Sequence, residues 1–434
     1  MKFDAGAIVK EGTLFIIVPW LVISSLLLFP VGRMAEVPLA LLALIGLKVF
    51  VENIKKGNWN KSTLFFSLFF LCLWLPIIFS IPDSYKLSKT SSLAIEYLRF
   101  FLAGLAVLKY CSTIEIFKLI NKYCLLIISF WIFDALIQYV TGTDLFGYPV
   151  IPQRLNGIFG HTIKLGLFLA VYSSFVFLFL YEKRHLALAG ILNLLCFIVL
   201  LLAGSRGGWI MYGVILIGFI SYKWRNNLKL LITSGVILTV GLLTISTVLY
   251  YNSDGFSKKM DTTLEIFKGD AESIDRAISY RLSIWKAATS MISSHPVNGV
   301  GARAFRYAYL DFAEDDDIFL RSDFAGKKRE IGAYHSHQMQ LEVLSETGLI
   351  GGFLFLCAMA ILVWYWRSST SFQKSNLLPY ALGLAAIFFP FNTHFSLYSS
   401  AWAQVMYWFI PLYFAAGRIQ SPLPDSDGRV IEPA

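Results

Sequence analysis

The sequence predicts an all-α polytopic membrane protein: about twelve transmembrane helices, with one large, mostly helical outer loop between spans 9 and 10. Three observations lead there. The first is composition. Of 434 residues, 56% are hydrophobic and only 15% are charged, and mean hydropathy is +0.63. A soluble domain carries about 25% charged residues, so a soluble enzyme and a disordered chain are both excluded. The second is the recurrence of continuous apolar runs near the length of a bilayer-spanning helix. Outer-membrane barrels alternate in and out and do not produce such runs. The third is the sorting of Lys and Arg between alternate loops.

The runs fall at 13–32, 34–52, 63–82, 92–110, 118–140, 162–181, 186–204, 207–223, 228–251, 341–366, 377–396 and 400–417. The first lacks a small-residue cleavage site after it and is read as an uncleaved span. Loops on one side, termini included, hold 18 Lys and Arg; the short loops and span ends on the other hold 7. The positive-inside rule then places both termini in the cytoplasm. The resulting division is 1–251 for the first nine spans, 252–340 for the outer loop, 341–417 for the last three spans and 418–434 for a cytoplasmic tail. The five cysteines (Cys72, Cys111, Cys124, Cys196, Cys357) lie in or beside apolar runs, so no disulfide framework is indicated.

Basic residues on the outer side run against the charge bias, and each needs a reason. Arg206 lies in the turn Gly204-Ser205-Arg206-Gly207-Gly208 between two spans. Glycines let backbone approach a ligand, and a guanidinium there can grip a phosphate with two parallel hydrogen bonds. The plainer alternative is snorkelling to lipid headgroups. Arg99, Arg154 and Lys164 are weaker candidates of the same kind.

In the outer loop, Ser273 to Ser294 reads as one amphipathic helix with Ser273 as N-cap, ended by His295-Pro296. Ala277, Arg281, Ile284, Ala288, Met291 and Ile292 share its apolar stripe. A charge at Arg281 must therefore be paired or face a ligand. Pro296-Val297-Asn298-Gly299-Val300-Gly301 is a turn cluster leading to Arg303 and Arg306, most simply a plain loop. The acidic run Glu314-Asp315-Asp316-Asp317 reads as solvated loop. Tyr334-His335-Ser336-His337-Gln338 directly precedes the tenth span, where a histidine can serve as general base. His335 and His337 are two apart and would not share a helical face, which argues against a metal pair. Glu342 and Glu346 follow, placed to orient a histidine or pair with an arginine. His161 and His394, also at outer span ends, rank lower. No P-loop, Cys-x-x-Cys or nucleophile elbow is present. These parts suit an amphiphilic anionic substrate at the outer leaflet, such as a lipid diphosphate. The charges cluster at the surface, whereas a transporter or flippase of an anionic lipid concentrates them near the midplane.

At these residues the chain resembles the O-antigen ligase and O-antigen polymerase superfamily of polytopic glycosyltransferases. The matching pieces are Ser205-Arg206-Gly207-Gly208-Trp209, Arg281 followed by Trp285, His295-Pro296-x-x-Gly299-x-Gly301, and His335-Ser336-His337-Gln338-x-x-x-Glu342 with Gly348 downstream. The resemblance implies a GT-C-like bundle in a bacterial inner membrane with a periplasmic active site. It implies His337 as catalytic base and Arg206 and Arg281 as diphosphate ligands. Arg154, His335 and Arg99 are further substrate-binding candidates from their own placement, not from the resemblance. It implies no metal or other cofactor. The ligase branch takes undecaprenyl-diphosphate-linked O-antigen as donor and lipid A-core oligosaccharide as acceptor, with no nucleic acid as partner and inversion at the anomeric carbon. The polymerase branch uses the same donor; its members tend to carry a second sizeable periplasmic loop, and here one loop is long, which favours the ligase. A peptidoglycan-type polymerase would depend on a metal or a carboxylate base instead. The family pattern has Asn after the second histidine. Gln338 keeps the amide and lengthens it.

Overall fold

The computed structural model describes all residues except 1–4, 58, 153, 182–185, 316, 321–330, 393–394 and 421–434. Among the described residues there is no strand, only two isolated bridges in the loop after the fifth long helix. The long helices are α1 (Ala5–Leu28), α2 (Glu36–Lys56), α3 (Lys61–Phe79), α4 (Leu87–Tyr110), α5 (Ile114–Thr141), α6 (Leu165–Tyr181), α7 (Leu186–Leu202), α8 (Arg206–Lys223) and α9 (Leu228–Asn252). Four short helices follow: α10 (Asp254–Leu264), α11 (Ala271–Ala277), α12 (Leu282–Ser294) and α13 (Phe305–Phe312). The chain closes with α14 (Met339–Arg367), α15 (Ser371–Ile387) and α16 (Ser400–Ala416).

Each of the twelve expected spans falls on one of the long helices. Six helical stretches are long and apolar enough to cross a bilayer: Gly12–Lys56, Lys61–Phe79, Leu87–Tyr110, Ile114–Thr141, Leu228–Asn252 and Met339–Arg367. The first takes in both α1 and α2, which are separated by a kink where Val31 and Gly32 (φ 65) leave helical geometry. Leu165–Tyr181 and Leu186–Leu202 are shorter apolar helices. The chain is therefore a multi-pass membrane protein. The run expected at 377–396 is offset: α15 starts six residues earlier, under a Thr370–Gln373 capping box, and stops at Ile387.

Polar caps start half of these helices. Asn60 accepts from Thr63 N at 3.0 Å, Asn227 from Leu230 N at 3.1 Å and Asp270 from Ser273 N at 2.8 Å. Aromatic and aliphatic side chains fill the bundle, with Trp131, Tyr97, Tyr172 and Tyr380 among its largest fully buried members. α6 lies centrally and packs on α5, α7, α8 and α15. α9 has no buried residue, and its Ile232, Val236, Val240 and Leu243 point outward. Such a helix suits lipid, where outward apolar side chains cost nothing.

The outer segment has its own small core: Ile284, Ala287, Ala288, Met291, Val300, Phe305, Ala308, Tyr309 and Ala333. The expected apolar stripe is thus real, but the single helix from Ser273 to Ser294 is not. The chain breaks at Ile278–Arg281, with Ser279 (φ 66) and Tyr280 (φ 57) both left-handed. Asp270, not Ser273, caps the first piece. The acidic run is also more than solvated loop. Asp317 is buried, accepts from Tyr309 Oη at 2.6 Å and caps the turn at Phe319 N.

Candidate functional site

Arg206 opens α8, with Ser205 as N-cap. Gly208 beside it serves helix packing. A Cβ at Gly208 would sit 2.8 Å from Gly166 O, so Gly208 lets α8 press against α6. Trp209 donates to Leu200 O at 3.1 Å, and its ring lies 5.6 Å from that of buried Phe256. That contact seats α10 on the bundle, three residues before Lys259.

The Arg206 guanidinium crosses to the outer segment at the helix break. It donates to Ala277 O and, at 2.6 Å, to Ser279 Oγ. The break exposes a carbonyl at the C-terminal end of α11, a partial negative charge that attracts a cation. The same break leaves Arg281 as the N-cap residue of α12. Arg154 arrives from the loop after α5. That loop is pinned by buried Gln138, which accepts from Asn156 N (3.0 Å) and Gly157 N (2.8 Å), and by Leu155 N donating to Leu202 O at 3.1 Å.

Arg154, Arg206, Lys259 and Arg281 thus converge at the outer end of α8. Burial, then the three arginines, push the Lys259 ammonium down to about 8. Burial, then Arg206, brings Arg281 down to about 10. Burial also lowers Arg154. None of the four has an ion pair among the described residues. Half-buried cations held together without a carboxylate form a site for a multiply charged anion.

The histidine loop is stapled to α12. Trp285, one turn after Arg281, donates from Nε1 to Ser336 O at 3.1 Å, and Ser336 is fully buried. His335 and His337 precede α14 and are not on a regular helix. His337 is left-handed (φ 54), its N–H donates to His335 Nδ1 at 3.2 Å, and the rings lie 4.1 Å apart. Spacing by two therefore does not separate them, because the turn folds them together. Gln338 caps α14 through Leu341 N and reaches Pro390 O at 3.1 Å. The longer amide spans that gap. No cluster of three metal-ligating side chains occurs among the described residues.

The His-Pro-x-x-Gly-x-Gly stretch is more than a plain loop. Val300 N and Gly301 N donate to Ser345 O (2.9 Å) and Glu346 O (3.0 Å), while Leu349 N donates to Pro296 O at 2.8 Å. Gly348 (φ 62) kinks α14 there, and a Cβ on it would lie 2.2 Å from Val297 O. This docking carries Arg303 and Arg306 to a second polar cavity of about 310 Å³. Its walls are Arg303, Arg306, Tyr334, His335, Glu342, Glu346, Ser396, Tyr398 and Ser399. Buried Glu346 accepts from Arg303 N, and buried Glu342 accepts from Ser396 Oγ and, at 2.8 Å, from Leu397 N.

Of the residues expected from sequence, Arg154, Arg206 and Arg281 come together, and His335 and His337 form a pair. Arg99 joins a different network, with Glu36 at 3.5 Å and Ser400 Oγ at 2.8 Å. Lys164 is half-buried at the start of α6, and His161 packs on Tyr148. His394 lies outside the described residues. Lys259 went unnoticed in the sequence because it sits in a short polar helix where lysine is ordinary. Only the Phe256–Trp209 contact reveals its place.

The bundle defines a multi-pass membrane protein, and the cation cluster at the end of α8 has the charge to attract an anion. Residues 191–356, less than half of the chain, match the family profile described as O-Antigen ligase. The match bears out the resemblance read from the motifs and includes Arg206, Lys259, Arg281, His335 and His337. A search of curated proteins returned no match.

Proposed function

We propose that this protein is an O-antigen ligase. In this reading it crosses the bacterial inner membrane twelve times, with both termini cytoplasmic and residues 252–340 periplasmic. The donor is O-antigen polysaccharide on undecaprenyl diphosphate; the acceptor is a hydroxyl of lipid A-core. The observation that carries the reading is the four-cation cluster joined through Trp285 to the His335–His337 pair.

The chemistry balances without nucleotide or redox input. His337 takes the proton of the acceptor hydroxyl, whose oxygen forms a bond to the anomeric carbon. The anomeric carbon–oxygen bond to phosphate breaks, and its electron pair leaves on the diphosphate. Arg206 and Arg281, with Arg154 and Lys259, neutralise the charge that develops there. Displacement from the opposite face inverts the anomeric centre.

The test is the lipopolysaccharide gel profile of a deletion strain, complemented with wild type or with His337→Ala. Bare lipid A-core with accumulated lipid-linked polymer, restored only by wild type, is the expected result. Core carrying a single repeat unit would identify a polymerase, and an unchanged profile would bring a lipid transporter forward.

A further inference from the structure

The cavity beside the histidine pair is not explained by diphosphate chemistry. The donor's leaving group already has a site at the cation cluster, where no ion-paired carboxylate occurs among the described residues. Yet His335 lines this cavity and its ring lies 4.1 Å from that of His337, so what fills the cavity meets the histidine pair. A general base must touch the attacking hydroxyl. The occupant therefore belongs on the acceptor side of the reaction.

Its chemistry can be read from the walls. Glu342 and Glu346 are buried, and each is held in place by groups behind it: Ser396 Oγ and Leu397 N for Glu342, Arg303 N for Glu346. Carboxyl groups fixed at a polar cavity of about 310 Å³ exchange hydrogen bonds with hydroxyls. Tyr334, exposed at the rim, offers an aromatic face, and the Arg306 guanidinium carbon lies 4.7 Å from its ring centroid. Arg306 has no carboxylate within ion-pair distance among the described residues, and its buried Nε has no hydrogen-bond partner there. Arg303, in contrast, is committed to Glu96 at 3.4 Å. One cation with unspent donors, two fixed carboxyl groups and one stacking face describe a sugar bearing a negative charge.

We infer that this cavity, with Arg306 as its specificity-determining residue, binds an anionic sugar of the acceptor and presents its hydroxyl to the histidine pair. The inference rests on the ligase reading, and it adds the recognition of the acceptor. A phosphate or a carboxylate on the sugar would satisfy the same guanidinium.

The experiment uses the full chain in detergent, titrated calorimetrically with delipidated, phosphorylated core oligosaccharide and, separately, with the same oligosaccharide after dephosphorylation. Wild type binds the phosphorylated form. Arg306→Gln weakens that binding by about ten- to a hundredfold, the effect of losing hydrogen bonds to a charged group. The affinity for lipid-linked donor stays unchanged. Tyr334→Leu, a change at an exposed position, weakens both forms of the oligosaccharide. If dephosphorylated oligosaccharide keeps an Arg306-dependent affinity, the charge read is a carboxylate. No binding to wild type, equal affinity in wild type and Arg306→Gln, or a matching loss of donor affinity would overturn the inference. Transfer by a protein that fails to bind the oligosaccharide would leave the ligase reading standing and remove the cavity's role. Binding without any transfer would do the reverse.

Discussion

Two cationic regions are joined through the histidine turn, one by the Trp285–Ser336 bond and the other by His335 in its wall, and they solve opposite problems. The cluster of Arg154, Arg206, Lys259 and Arg281 has no carboxylate partner among the described residues, and burial with mutual repulsion holds Lys259 down to about 8. The cavity of Arg303 and Arg306 has Glu96, Glu342 and Glu346 in reach. A site that must compensate several negative charges keeps its cations unpaired and carries the repulsion as strain until the ligand arrives. A site that must read hydroxyls around one charge mixes signs. The difference teaches that counting arginines does not identify a diphosphate site; the absence of carboxylates beside them does.

The sharpest way to break this comparison is to remove what the two regions share. His337→Ala should lower transfer by about a hundredfold to ten-thousandfold, the usual worth of a general base, with donor affinity unchanged. Radiolabelled donor in a reconstituted assay measures both quantities. Activity near wild type would dissolve the link between the regions.

Next, Arg281→Lys keeps charge and loses the planar fork. Transfer should fall by about a hundredfold, comparable to deleting one oxyanion donor. Arg303→Lys should change transfer far less, because its guanidinium faces Glu96. Equal losses would mean that the cluster is not special.

A smaller effect separates Lys259 from the arginines. In the free protein this amine titrates at about 8, and a bound diphosphate raises it. Below about 8 the amine is charged in both states and affinity is flat. Above that pH, binding must first recruit a proton, so donor affinity should fall by up to about tenfold per pH unit until the complex itself titrates. Lys259→Met should bind more weakly below pH 8 and show a flat profile through this window. A wild-type profile in the variant would exclude Lys259 from the site.

The smallest change is expected at Trp285→Phe, which deletes the 3.1 Å bond to Ser336 O but keeps the packing. Losing one hydrogen bond costs about 1 kcal/mol of loop order. The expectation is a drop of a few-fold in turnover, with little change in the affinity of either substrate. A selective loss of donor affinity would place Trp285 in the cation cluster instead.

Much of this molecule is legible along the chain, and the reasons are local. An apolar run long enough to cross a bilayer declares itself by composition alone, and each expected span falls on a helix. Arg206 stands out because it runs against the Lys and Arg bias of the short loops, Arg281 because it falls on an apolar stripe, and His337 because it directly precedes an apolar run. The amphipathic stripe through Ile284, Ala288 and Met291 follows from helical period and is buried. Other features depend on which segments meet. The stripe continues in register across Ile278–Arg281, so periodicity could not show the break. Its two halves separate because a guanidinium from α8 occupies the carbonyl and hydroxyl released there. His335 and His337 meet through a left-handed turn that helical spacing argues against. Lys259 and Arg306 lie in ordinary polar sequence, and their roles come from Phe256 docking on Trp209 and from Gly299 and Gly348 letting two backbones touch. Hydropathy and charge bias are sums over neighbours in sequence, so the chain alone expresses them. A charge's counter-ions are neighbours in space, and only the packed bundle decides which cations are left without one.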